Sequence, residues 1–194
     1  MGQGIATSYL QIFSEQLQIP VKQLKVVQGD TDLVEGHGSV GSRSLFVGGN
    51  AILRGIEDFL EECKQLAASE LEASVEDLEY HQGNFQVKGT RVGIGIFDLC
   101  SRQSDNSISV KRKKELTGRS WPNGCHVAEV EIDAETGEVR LDRYVSVDDV
   151  GNTVNPMIVH GQVQGGIASG LGQAVLERTE YDASGQLLSG SYMD

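Results

Sequence analysis

Positive charge is in short supply: 16 Lys and Arg stand against 28 Asp and Glu, a formal net charge of −12. This balance lacks the basic surface that sequence-independent DNA or RNA binding requires. Cysteine is scarce too. Cys63, Cys100 and Cys125 are odd in number, lie far apart and form no Cys-x-x-Cys pair. Neither a zinc site nor a Cys-ligated iron–sulfur cluster is encoded, and a reducing, cytoplasmic setting fits. Proline is rare, at 3 residues, and no Gly-X-Y period runs through the chain, so a collagen-like protein is excluded. Long apolar runs are missing. Residues 154–176 carry no Asp, Glu, Lys or Arg, but they include Asn155, His160, Gln162, Gln164, Gln173 and five glycines. That is too polar for a spanning helix, and a helix buried in protein is expected there. No basic and apolar leader follows Met1. The four histidines have no ligand spacing, no Gly-x-Ser-x-Gly elbow occurs, and no Gly-Lys-Ser/Thr closes a Walker loop.

What is there is an ordinary composition, 39% hydrophobic and 23% charged, with one excess: 24 glycines in 194 residues, against a usual share of about 7%. The length suffices for one large domain or two small ones. Helical spacing of Ile5, Tyr9, Ile12, Phe13 and Leu17 predicts a helix over residues 5–18, with Pro20 beyond its end. Residues 24–28 read as a short strand and residues 29–41 as a glycine loop, in which Asp30 and Asp32 cap a turn. Residues 44–73 read as a second helix. Gly48, Gly49 and Gly55 each weaken it by about 1 kcal/mol against alanine, so a packing reason is expected. Strands are predicted over 78–81 and 85–87, flanking Gln82-Gly83-Asn84, and over 92–97. Residues 101–120 form a polar excursion or linker, and Lys111-Arg112-Lys113-Lys114 within it reads as a solvated edge.

Alternation through Val127–Ile132 and from Val139 to Val147 predicts a long antiparallel hairpin with one face buried, where His126 has no visible partner. Asn155-Pro156 supplies an N-cap followed by proline for a helix running to about residue 178, before a closing hairpin near Ala183-Ser184-Gly185. The fold class is α+β, with mixed or antiparallel sheets and packed helices. Residues 1–100 form the region with the glycine-rich loops, 101–120 the excursion, and 121–194 the long hairpin, glycine-rich helix and C-terminal hairpin of the same unit.

Glycine gathers beside polar side chains in three places. Gly2-Gln3-Gly4 precedes the first helix. Gly36-His37-Gly38-Ser39-Val40-Gly41-Ser42-Arg43-Ser44 precedes the second. A helix N-terminus with free N–H groups suits an anion, and Arg43 with the Ser42 and Ser44 hydroxyls can add hydrogen bonds. Taken alone, the pattern is more often a flexible loop capped by Ser, because glycine loops are common. The third is the stretch from Gly161 to Gln173. Gln162, Gly166, Gly170 and Ala174 share one nearly bare helical face beside an apolar stripe of Val159, Val163, Ile167, Leu171 and Val175. Such a face admits a flat ligand or another backbone, with tight helix packing as the other reading.

Set in order, these pieces carry a resemblance. They are Gly2-Gln3-Gly4, Val27-Gln28-Gly29-Asp30-Thr31-Asp32, Gly38-Ser39-Val40-Gly41-Ser42-Arg43-Ser44, Asp148-Asp149-Val150-Gly151, Asn155-Pro156, His160-Gly161-Gln162-Val163, Gly165-Gly166, Gly170-Leu171-Gly172-Gln173-Ala174 and Gly190-Ser191-Tyr192-Met193-Asp194. The chain resembles the molybdenum-binding large subunit of the xanthine dehydrogenase / aldehyde oxidase family, closest to the carbon monoxide dehydrogenase large-subunit group. The resemblance implies a molybdopterin-binding domain whose cofactor is molybdopterin with molybdenum, in bacteria usually the cytosine dinucleotide form. It places Gln3 and Gly4 near the molybdenum and pterin. It has Gly41, Ser42, Arg43 and Ser44 hold the pterin or its phosphates, and Gln162 hydrogen-bond the pterin.

It also implies an oxidoreductase that hydroxylates an aldehyde, a purine, a related heterocycle or carbon monoxide. Its partners would be the remainder of the large subunit and iron–sulfur and FAD subunits or domains. Departures from the family pattern are Ile5 and Ala6 in place of His and Glu, Glu35 for Pro, Ser39 for Thr and Gln164 for His. The family's catalytic glutamate belongs to a Gly-x-Gly-Glu segment C-terminal to Gly190-Ser191-Tyr192-Met193-Asp194. No catalytic or metal-ligating residue is therefore assigned, and the chain alone is expected to be an inactive fragment. A non-catalytic molybdopterin carrier or assembly module, and a generic phosphate-binding interaction domain, are the alternatives.

Overall fold

The computed structural model describes residues 2–34, 36, 38–111 and 120–191. Expectations at Glu35 and His37, over 112–119 with Arg112-Lys113-Lys114, and at Tyr192-Met193-Asp194 lie outside the described residues. Helices and antiparallel sheets make the fold α+β. The chain forms two compact units, Met1–Ser120 and Trp121–Asp194.

In the first unit, helix α1 (Ile5–Leu17) is followed by a 3-10 turn at Val21–Gln23 and helix α2 (Ser44–Glu70). Residues 24–28, expected as a strand, form none: Leu24 has extended backbone (φ −110, ψ 145), but no strand among the described residues pairs with the segment. Extended conformation becomes sheet only when a neighbour accepts its hydrogen bonds. Asp30 does cap its turn, accepting from Asp32 N–H at 3.0 Å. After a 3-10 turn at Val75–Asp77, strands β1 (Leu78–His81), β2 (Asn84–Val87) and β3 (Gly93–Gly95) form an antiparallel sheet in the order β1-β2-β3. The strand expected over 92–97 ends early, because Gly95 starts helix α3 (Ile96–Ser101). Ile96 and Leu99 stand at helical i, i+3 spacing and both are buried.

The core lies between α2 and this sheet. Cys63, Ala67, Phe85 and Leu99 are fully buried, joined by Leu17, Ile19, Ile56, Leu78, Ile94 and Ile96. Tyr80 lays its ring 4.9 Å from that of Phe85 and donates from its hydroxyl to the Leu17 carbonyl at 2.6 Å, tying the sheet to the end of α1. Burial pushes the Tyr80 hydroxyl and the Cys63 thiol up to about 12.

In the second unit, β4 (Asn123–Ile132) and β5 (Val139–Asp149) pair as a two-stranded antiparallel ribbon. The expected buried face is absent. Val127, Val130, Ile132, Val145 and Val147 are all at least half exposed. The register explains why no single face collects the apolar residues. Cys125–Val147 and Val127–Val145 pair on one face, a bulge then leaves Asp142 unpaired, and beyond it Val130–Leu141 and Ile132–Val139 pair on the other. Helix α4 (Pro156–Val175) starts as expected, the Asn155 side chain accepting from Ile158 N–H at 3.1 Å ahead of Pro156. It stops at Val175, and no residue in it is buried, which corrects the expectation of a buried helix. No second layer among the described residues covers it. Residues 181–187 close on a single bridge, Tyr181 to Leu187.

Candidate functional site

The first two glycine segments meet. Gly4 adopts a left-handed conformation (φ 71, ψ 13) and turns the chain into α1, so that Gln3 stands just ahead of the first turn. Gly41 (φ 61) and Ser42 (φ 52) are both left-handed before Arg43 leads into α2. For a serine that conformation is strained by roughly 1–3 kcal/mol, the kind of cost concentrated at ligand-binding loops. Neither α1 nor α2 has a side-chain cap, so first-turn N–H groups are left to other acceptors.

A hydrogen-bonded chain links the two N-termini. Ser39 Oγ donates to Gln3 Oε1 at 2.8 Å and lies 2.7 Å from Ser44 Oγ. From α1, Tyr9 Oη donates to the Ser44 carbonyl at 3.3 Å. The helices come this close because position 48 carries no Cβ. An added Cβ at Gly48 would stand 1.8 Å from Tyr9 Oη, and one at Gly49 would touch Ile12 at 3.4 Å. Of the three helix glycines, Gly48 thus has the packing reason the sequence called for; a Cβ at Gly49 would make an ordinary contact, and Gly55 has open space. Burial also raises the Tyr9 hydroxyl above its usual range, which keeps it a protonated donor.

Of the expected residues, Gln3, Gly4 and Ser44 are half-buried at this junction, while Gly41, Ser42 and Arg43 are exposed beside it. Ser39 and Tyr9 were not among them. In the sequence Ser39 stands out only as part of its motif and Tyr9 only as part of the α1 stripe, because the contacts of both join residues about 35 positions apart. Gln162 lies in the second unit, on α4. There the spacing is realised: Val159, Val163, Ile167 and Leu171 are half-buried, whereas Gln162, Gly166, Gly170 and Ala174 are exposed. A Cβ at Gly161, Gly165, Gly166 or Gly170 would meet nothing within 4 Å.

His126 does have partners. Its Nδ1 lies 3.0 Å from Tyr144 Oη and its Nε2 3.0 Å from Asp148 Oδ1, across the ribbon. The pairing of His126 with Ser146 brings residues 144 and 148 to its two diagonals, so the register, once known, reveals them. Gly124 leaves the room: a Cβ there would stand 2.7 Å from Asp148 Oδ1.

Residues 1–194 match the family described as the molybdopterin cofactor-binding domain. The 6-hydroxypseudooxynicotine dehydrogenase complex subunit gamma of Paenarthrobacter nicotinovorans is 32% identical over 100% of this chain and 26% of its own length. The carbon monoxide dehydrogenase large chain of Hydrogenophaga pseudoflava is 32% identical over 100% of this chain and 25% of its own. The solved copper- and molybdenum-containing CO dehydrogenase, in its carbon monoxide reduced state, superposes with a TM-score of 0.81 at 30% identity, covering 100% of this chain and 25% of that one. The chain therefore spans about a quarter of the length of these relatives.

Proposed function

Since the chain belongs to the molybdopterin cofactor-binding domain family, we propose that it supplies part of the molybdenum-cofactor-binding surface of a larger oxidoreductase. The observation that carries this reading is the junction of Gln3, Ser39 and Ser44 at the uncapped starts of α1 and α2, with Gly41, Ser42 and Arg43 exposed beside it.

The residues suit the group. A pterin dinucleotide offers an amide-like ring edge and phosphates. Carboxamides at Gln3 and Gln162 match the first. Main-chain N–H groups, the Ser42 hydroxyl and the Arg43 guanidinium match the second. The open glycine face around Gln162 supports close approach of a flat ring in the second unit. The carboxamide, hydroxyl and guanidinium groups of Gln3, Gln162, Ser42 and Arg43 are hydrogen-bonding groups, so these residues are assigned to the organic part of the cofactor. When bound, the cofactor supplies two-electron redox chemistry. The chain's own residues bind it: in the first unit Arg43 neutralises phosphate charge and Gln3 meets the ring edge, and in the second unit Gln162 offers a further carboxamide.

Hydroxylation of an aldehyde, a purine, another heterocycle or carbon monoxide, with electrons leaving through iron–sulfur and FAD partners, is the activity proposed for the larger enzyme. The cytosine dinucleotide form of the cofactor belongs to the same proposal. It is supported by relatives named as a dehydrogenase complex subunit and a dehydrogenase large chain. The cytoplasm is the proposed compartment, supported by three free cysteines. Among the described residues no helix is long and apolar enough to cross a membrane.

The test is pterin fluorescence released on denaturing the purified chain after exposure to the cofactor: weak retention is expected of a chain that supplies only part of the surface, and tight retention would favour the carrier or assembly module. Arg43→Ala is expected to weaken retention about tenfold, the scale of one charge-assisted hydrogen bond. Retention unchanged in Arg43→Ala would overturn the assignment. Binding of inorganic phosphate with no pterin ever recovered would leave a phosphate-binding module instead.

A further inference from the structure

Proton counting at the junction assigns roles that the sequence leaves open. A serine hydroxyl has one proton to donate, and a carboxamide oxygen can only accept. Ser39 Oγ donates its proton to Gln3 Oε1. The 2.7 Å contact between Ser39 and Ser44 therefore has Ser44 as its donor. The chain is directed, from Ser44 through Ser39 to Gln3, and both serine protons are committed inside the protein. Tyr9 holds the Ser44 carbonyl from the other side, and the glycine at position 48 is what lets it reach.

We propose that Ser39 is a positioning residue which, with Ser44 and Tyr9, fixes the carboxamide of Gln3 with its oxygen inward and its NH2 outward, as a donor to the ligand. Ser44 then gives no hydrogen bond to phosphate; that part falls to Ser42, Arg43 and main-chain N–H groups. This rests on the molybdopterin reading for the ligand, but the directed chain itself is a property of the protein alone.

The experiment separates the two. In the full chain without cofactor, denaturant unfolding is measured for Gln3→Ala, Ser39→Ala and the double variant. Each single change is expected to lower the midpoint, and the double to lie no lower than the worse single, because both remove the same bond. Strict additivity would overturn the chain whatever the ligand is. Ser39→Thr keeps the hydroxyl and is expected to restore the parental midpoint, whereas Ser39→Val, of the same shape, is not; equal behaviour of the two would also overturn it. With cofactor, pterin recovery is expected to fall about fivefold in Ser39→Ala and Ser39→Val and to return in Ser39→Thr, the scale of one neutral hydrogen bond. Ser44→Ala in the otherwise unchanged chain is expected to lower pterin recovery no more than Ser39→Ala does, and a larger loss would show Ser44 donating to the ligand rather than to Ser39. Coupled midpoints in a chain that never holds pterin would uphold the directed chain from Ser44 through Ser39 to Gln3 and overturn only tight cofactor binding by this chain alone.

Discussion

An added methyl group meets opposite surroundings at Gly48 and Gly55, although both lie on α2. At Gly48 it runs into the Tyr9 hydroxyl at 1.8 Å; at Gly55 it meets nothing within 4 Å. Alanine gains about 1 kcal/mol over glycine in a helix, so Gly55→Ala is expected to stabilise the chain by about that much. Gly48→Ala must displace Tyr9 from the Ser44 carbonyl, and the overpacking, typically about 1–3 kcal/mol, outweighs the same gain. Chemical denaturation of the two variants should therefore move the midpoint in opposite directions. The comparison separates glycine kept for contact from glycine kept for nothing the first unit shows.

The helices α1, α2 and α4 were legible in the sequence because apolar periodicity, glycine and Asn-Pro are local signals. The β1–β2 hairpin was legible for the same reason. What escaped depends on partners that local pattern does not name. Residues 24–28 look like a strand but have nothing to pair with, and residues 96–101 fold into a short helix once Gly95 turns the chain. The bulge at Asp142 exchanges the apolar face of the β4–β5 ribbon, and no alternation count can place it. At the candidate site the glycine segments were visible, while the Gln3–Ser39–Ser44 link, joining two of them, was not. The cap of α4 was readable and is open to test. Asn155→Ala is expected to cost about 1 kcal/mol, seen as loss of helical circular dichroism at lower denaturant. Ser or Asp at the same position should retain most of the helix, since each offers an acceptor to the Ile158 N–H.

Across the whole molecule, burial is uneven. The first unit holds the core, while the second has no buried residue among those described. The titratable groups shifted by burial follow that division. Burial raises Cys63 from 9.0 to about 12 and Tyr80 from 10.0 to about 12, so their folded-state values lie above their unfolded ones. The stability they protect is complete below pH 9.0 and is lost as pH climbs from there towards about 12. The first unit is expected to unfold at progressively lower denaturant over that window, followed by tyrosinate absorbance. Cys63→Ala should flatten the part that begins earliest, and a midpoint independent of alkaline pH would contradict the burial of both groups. The contact of Tyr9 with Gly48 reaches further than stability. It ties two distant positions together: a side chain at 48 and the ring of Tyr9 in its present seat exclude each other. A lineage that gains a side chain at 48 while keeping Tyr9 passes through a chain in which that ring has left the Ser44 carbonyl.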